Sequence, residues 1–123
     1  MSALQMYRGD YIAFRGVAII NDDLDIFDLT GSKVYFTAKN AKSDADSSAV
    51  ISLDSEAGGV DIPDPLTGEF FVTIDHGDTS SISLSGGERV LVYDVQLKDA
   101  TDRVFTLDVG TLTILEDVTQ RVY

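Results

Sequence analysis

The chain has 123 residues, the length of one domain, and a globular composition that is 44% hydrophobic and 24% charged. It contains no cysteine, which excludes disulfides and thiolate metal sites and leaves the core alone to hold the fold. Nine Lys and Arg against 21 Asp and Glu give a net charge of -12. That balance excludes nucleic acid and anionic membranes as partners, because phosphate binding depends on Lys and Arg displacing counterions.

In chain order, residues 4–7 read as a first, edge-like strand. In the second strand Ile12, Phe14, Ala18 and Ile20 alternate, and Gly16 marks a bulge or a close approach of another group. Asn21-Asp22-Asp23 and Thr30-Gly31 bracket a loop. Val34, Phe36 and Ala38 then share one face of a strand, opposite Lys33, Tyr35, Thr37 and Lys39. Residues 42–48 are polar, carry no packing signal and are expected to form a mobile loop. Residues 50–53 form a short strand, and Pro63-Asp64-Pro65 with Thr67-Gly68 makes a rigid bend before the strand of Phe70, Val72 and Ile74. Residues 79–87, rich in Ser and Gly, are a connection or an irregular strand through Ile82 and Leu84.

The alternation is clearest at the end. Leu91, Tyr93, Val95 and Leu97 line one face of residues 90–98, and a turn follows at Asp99-Ala100-Thr101-Asp102. Phe105, Leu107 and Val109 share the next face, Gly110 breaks the run, and Leu112 and Ile114 resume it, so that the segment reads as three strands of an antiparallel meander. Phe36, Tyr93, Val95, Phe105, Leu107 and Leu112 are the expected core. Helical periodicity is nearly absent, so no helix beyond a turn or two is expected. The expectation is a single all-β domain over residues 1–123. Its predicted fold is an immunoglobulin-like antiparallel β-sandwich of seven to eight strands with Greek-key wiring.

Several motifs have sharper readings that the plain ones outweigh. Arg8-Gly9-Asp10 spells the integrin-binding tripeptide, but it is also a tight turn in which Asp10 would bond back to the backbone. Leu84-Ser85-Gly86-Gly87-Glu88 imitates an ABC-type ATPase signature, yet the chain lacks the phosphate-cradling loop that would give it meaning. The acidic groups Asp22, Asp23, Asp25 and Asp28, and Asp61, Asp64, Asp75 and Asp78, invite calcium. They miss the Gly and Glu positions of the helical calcium loop, and Asp is common in turns. His76, the single histidine, sits beside Asp75 and Asp78 without a nucleophile motif or zinc partners. No catalytic residue, cofactor or metal is therefore assigned.

Arg8-Gly9-Asp10 opens a strand, and Asp22-Asp23 and Asp28-Leu29-Thr30-Gly31-Ser32-Lys33-Val34 lead into the next. Leu66-Thr67-Gly68-Glu69-Phe70, Val92-Tyr93-Asp94-Val95 and Phe105-Thr106-Leu107, with Gly110 and Thr119, follow. In this order they resemble the immunoglobulin-like β-sandwich modules of tailed-phage virions, such as the N-terminal domain of upper baseplate proteins. The resemblance runs from about Leu4 to Val118. It implies a non-enzymatic structural role in the tail, baseplate, neck or capsid surface, assembled in a host cytoplasm, with other virion proteins and copies of itself as partners. The baseplate proteins continue into further domains, whereas this sequence stops at Tyr123.

Apolar residues near the ends, Leu4, Met6, Tyr7, Val118, Val122 and Tyr123, are the expected interface, reached by strand edges and tails. The chain shows neither a signal-peptide pattern nor an apolar run of membrane length, so it is expected to stay soluble or to leave the cell only within a larger assembly. The alternative is a carbohydrate- or receptor-binding module, with a host-surface glycan as its ligand. It requires Tyr7, Tyr11, Tyr35 or Phe71 to stand exposed along one face.

Overall fold

The computed structural model describes residues 2–19, 27–84 and 86–118. The alternating segments become eight strands: β1 (Ser2–Tyr7), β2 (Ile12–Val17), β3 (Lys33–Lys39), β4 (Ile51–Asp54), β5 (Val60–Asp61), β6 (Glu69–Ile74), β7 (Glu88–Lys98) and β8 (Val104–Leu115). The α-helix described, α1 (His76–Thr79), is one turn long, closed by a capping box between Asp75 and Asp78.

The strands form a five-stranded sheet in the order β1-β8-β7-β3-β4 and a three-stranded sheet in the order β2-β6-β5. The β1–β2, β2–β3, β4–β5 and β6–β7 connections cross between the sheets, while β3–β4, β5–β6 and β7–β8 are hairpins within one, the Greek-key wiring of an immunoglobulin-like sandwich. The all-β sandwich read from alternation is therefore the fold. One pair departs from the antiparallel expectation. β1 runs parallel to β8, with Leu4 beside Leu112 and Met6 beside Ile114. Because β1 leaves for the other sheet and β8 is the last strand, no hairpin ties the two, and a parallel pairing costs no extra connection.

The inner faces meet in one core, with Phe36, Val72, Ile74, Leu91, Leu97, Leu112 and Ile114 fully buried. Phe14 of the small sheet meets Phe36 of the large one edge-on at 5.9 Å, and Tyr93 stacks on Phe36 at 5.2 Å. Of the residues expected in the core, Phe36, Tyr93, Val95 and Leu112 are buried, while Phe105 and Leu107 are half-buried and pack on its margin. Phe105 lies against Phe27 with ring centroids 5.9 Å apart.

The expected meander resolves differently. Residues 104–115 are one strand, and its break is not at Gly110, which pairs normally with Tyr93. Instead Gln96 pairs with Thr106 and Val95 with Asp108, leaving Leu107 as an extra residue. Such a bulge shifts the side-chain parity by one. Phe105 faces inward before it, and Asp108, Gly110, Leu112 and Ile114 face inward after it. Val109, expected beside Leu107, therefore points outward. Asp108 is turned toward the core and accepts a hydrogen bond from the Tyr93 hydroxyl at 2.9 Å, which meets the cost of placing a carboxylate there.

Gly16 is the close-approach point the sequence marks. It pairs with Phe70, whose ring lies over it, and a Cβ at Gly16 would stand 2.2 Å from Phe70 Cζ. Residues 42–48 carry a 3₁₀ turn (Asp46–Ser48) and are tied to β3 by Lys39, whose Nζ donates to Asp44 O at 2.8 Å and pairs with Asp46 at 2.7 Å. After α1, residues 80–84 and 86–87 form no strand, with Ile82 buried in the core and Leu84 packed against it.

Candidate assembly surface

The expected interface residues do not behave alike. Pairing with β8 turns Leu4 and Met6 to the same face as Leu112 and Ile114. Met6 is 3% exposed and Leu4 packs on the core. Met6 is a core residue, which corrects its assignment to an interface, and Leu4 is half-buried at the margin of the core. Tyr7, one step further on, alternates outward and is exposed, as is Val118. Val122 and Tyr123 lie outside the described residues. Of the last segment, residues up to Leu115 offer no edge, since β8 lies between β1 and β7, and residues 119–123 lie outside the described residues.

Among the described residues, β1 is the end strand of the large sheet, and no strand pairs with its outer edge. Sheet edges are usually blunted by charge, proline or a bulge, because their unpaired N–H and C=O groups otherwise recruit another strand. The other three edges carry such devices. β2 holds Arg15, paired with Glu69 at 2.6 Å, β4 ends on Asp54, and β5 is two residues long. β1 reads Ser-Ala-Leu-Gln-Met-Tyr, six residues with no charge and no proline.

The turn after β1 holds that edge in place. The Asp10 N–H donates to Tyr7 O at 3.1 Å across Gly9, whose φ of 84° suits glycine. The Arg8 N–H donates to Leu115 O at 2.8 Å, and its guanidinium bonds Asp117 at 3.0 Å and Ile82 O at 3.1 Å. The Gly9 N–H donates to Thr79 Oγ1 at 2.7 Å, and His76 Nδ1 lies 2.9 Å from Gly9 O, which as a carbonyl can only accept. The turn reading of Arg8-Gly9-Asp10 is thus correct, but its agent differs. Arg8 and Gly9 hold the turn, and the Asp10 carboxylate meets no hydrogen-bond donor among the described residues. Arg8 is drawn into an ion pair that an integrin-binding loop would need to leave free.

His76 serves the same turn, joining α1 to Gly9 through its Nδ1. Asp75 and Asp78 cap α1, Asp64 accepts from the Leu66 N–H at 3.1 Å, and Asp28 accepts from the Thr30 N–H and hydroxyl. The Thr30 bonds hold the Asp28 carboxyl below its ordinary pKa. Among the described residues no three His, Cys, Asp or Glu side chains converge as a metal site would need, and Asp22, Asp23 and Asp25 lie outside them.

The aromatics that a glycan platform would align are dispersed. Tyr7 and Tyr35 share the outer face of the large sheet, but β8 and β7 lie between their strands, a separation of roughly 14 Å at three strand spacings. Tyr11 stands in the β1–β2 link, and Phe71 faces out from the small sheet beside Arg15. Of these four, Tyr35 borders a concavity, a groove of about 490 Å³ with Val92, Asp94, Val104 and Val109. Burial pushes the Asp94 carboxyl above its ordinary pKa, against the pull of Lys39 and Lys42. The groove is invisible to simple alternation, which carries Val109 to the opposite side of the sheet because it does not register the bulge.

No protein-family model matches the chain, and no curated protein does. Among solved structures it is similar to AggA, the major subunit of aggregative adherence fimbriae type I from Escherichia coli. The two are 13% identical over 95% of this chain and 91% of that one, with a TM-score of 0.33. A likeness this slight bears no functional weight.

Proposed function

We propose that this chain is a non-enzymatic structural component of a tailed-phage virion, acting by protein–protein assembly in the tail, baseplate, neck or capsid surface. The observation that carries the assembly reading is β1: an uncharged, proline-free strand at the end of a sheet, fixed in position by the Arg8 turn. A neighbouring strand adds to such an edge through its backbone, and many copies in a symmetric particle make a modest contact sufficient. The virion setting is supported by the ordered set of turn and strand motifs that runs from Arg8-Gly9-Asp10 to Gly110. A -12 charge favours a protein that stays dispersed until its partner presents a matching edge.

Mass spectrometry of purified particles from a lysate of the encoding phage tests the setting, and the protein should co-purify at stoichiometric level. Its absence from washed particles would remove the virion reading. Hydrogen exchange tests the edge separately. Amides of Ser2–Tyr7 should gain protection in the particle relative to the free chain, and unchanged exchange there would place the contact elsewhere.

A further inference from the structure

The outward side of the large sheet has an unusual composition for a solvated face. Cross-strand register assigns which side chains point out: Tyr7 on β1, Val104, Val109 and Leu115 on β8, and Val90 and Val92 on the first half of β7. Their outward neighbours on β1 and β8 are threonine, alanine and glutamine. From β1 across β8 no outward strand residue is charged, on a chain in which 24% of residues are. Val90 is 51% and Val104 58% exposed. The antiparallel norm is apolar inside and polar outside. This region breaks it over two and a half strands.

The charges of the face lie on β3, on β4 and along β7, where Glu88 begins the strand beside Val90: Lys33, Lys39 and Lys98 balance Asp54, Glu88 and Asp94, three against three. The outward strand residues of the large sheet therefore sum to zero, while the whole chain carries -12. Depletion of charge over an apolar centre is the compositional mark of an interface.

We infer that two copies of this chain pair face to face through the outer surface of the five-stranded sheet. Charge selects the occupant. Two chains at -12 repel through most of their surfaces, and the approach that costs least is the one apposing their neutral faces. A twofold contact does this with a single patch, setting the valine-rich β7–β8 region of one copy against that of the other. The strands of the sheet cover roughly 650 Å², taking ~3.4 Å per residue and ~4.8 Å between strands. A standard interface uses about 800 Å² per partner, so the pair forms reversibly. The contact is separate from the β1 edge and requires no particle, so either can fail without the other.

Sedimentation equilibrium of the purified chain at pH 7 is the test. A monomer–dimer equilibrium should appear in the range of about 1–200 µM, and it should tighten as salt rises from about 0.05 to 0.5 M, because screening relieves the repulsion between acidic copies. Val90→Asp with Val104→Asp, both at exposed positions, should weaken it at least about tenfold, while Tyr11→Asp, away from the face, should leave it unchanged. Dilution shifts in NMR spectra of the unaltered chain provide a second reading, and they should cluster on Val90, Val92, Val104 and Val109. A chain that stays monomeric throughout, a double variant that pairs like the parent, or shifts clustered on another face would each overturn the inference.

Discussion

Gly16→Ala is the sharpest test of how the two strands of the small sheet fit together. The backbone at Gly16 needs no left-handed conformation, so alanine is conformationally acceptable and removes disorder from the unfolded chain, a gain of about 0.5–1 kcal/mol. Packing opposes this. The new Cβ would stand 2.2, 2.6 and 2.8 Å from Cζ, Cε2 and Cε1 of Phe70. Phe70 is 3% exposed, so its ring cannot swing into solvent and must push into the core. Overpacking of that kind costs about 1–3 kcal/mol. The net expectation is a loss of about 1 kcal/mol or more, or roughly 3–8 °C in Tm for a chain of this length. Thermal and urea unfolding measure it, with Phe70→Leu made alone and together with Gly16→Ala. The smaller side chain should absorb much of the penalty, so the double variant should be more stable than the two single losses added together. A Gly16→Ala chain that melts at or above the parent, or strict additivity in the cycle, would refute the close-approach argument.

Two further outcomes follow from the turns. Arg8→Met should cost about 2–3 kcal/mol, because it removes the guanidinium facing half-buried Asp117 and the bond to Ile82 O, whereas Asp10→Ala should stay within about 0.5 kcal/mol of the parent. Paired melting curves decide this, and equal losses would return the turn to Asp10. At the β7–β8 turn, burial works to raise the Asp99 pKa, but hydrogen bonds from Arg103 and Thr101 outweigh it and hold the carboxyl at about 2. A depressed folded pKa stabilises above the unfolded value of about 3.9 and loses that contribution as pH falls through about 2. Asp99→Asn should therefore lower Tm at pH 7, with a deficit that narrows between about pH 4 and 2. A deficit constant across that range would show that the carboxylate charge is not what the turn uses.

The period-2 spacing of Val34-Phe36-Ala38, Phe70-Val72-Ile74 and Leu91-Tyr93-Val95-Leu97 is enough to place those strands and their buried faces, because a side chain's side of a strand depends only on its place in the sequence. The turn residues near Gly9, Pro65-Gly68 and Asp99 are legible for the same local reason, and Gly16 announces a crowded neighbour without naming it. The switch from odd to even apolar positions between Leu107 and Leu112 is also visible. It reads as a break at Gly110, since the pattern records that parity changes but not at which residue the partner strand skips.

Pairing across the molecule is decided only in the tertiary structure. The parallel seating of β1 on β8, the bond from Arg8 to Asp117 and the cover of Tyr93 over Asp108 join residues that have no reason to meet in the linear pattern. Met6 and Tyr7 show the consequence most plainly. Adjacent and both apolar, they are equally fit for an interface until the register with Ile114 and Leu115 sends one into the core and leaves the other in solvent. The neutral outer face arises in the same way. Its residues come from strands far apart in sequence, and only their alignment side by side in one sheet separates them from the acid carried by the rest of the chain.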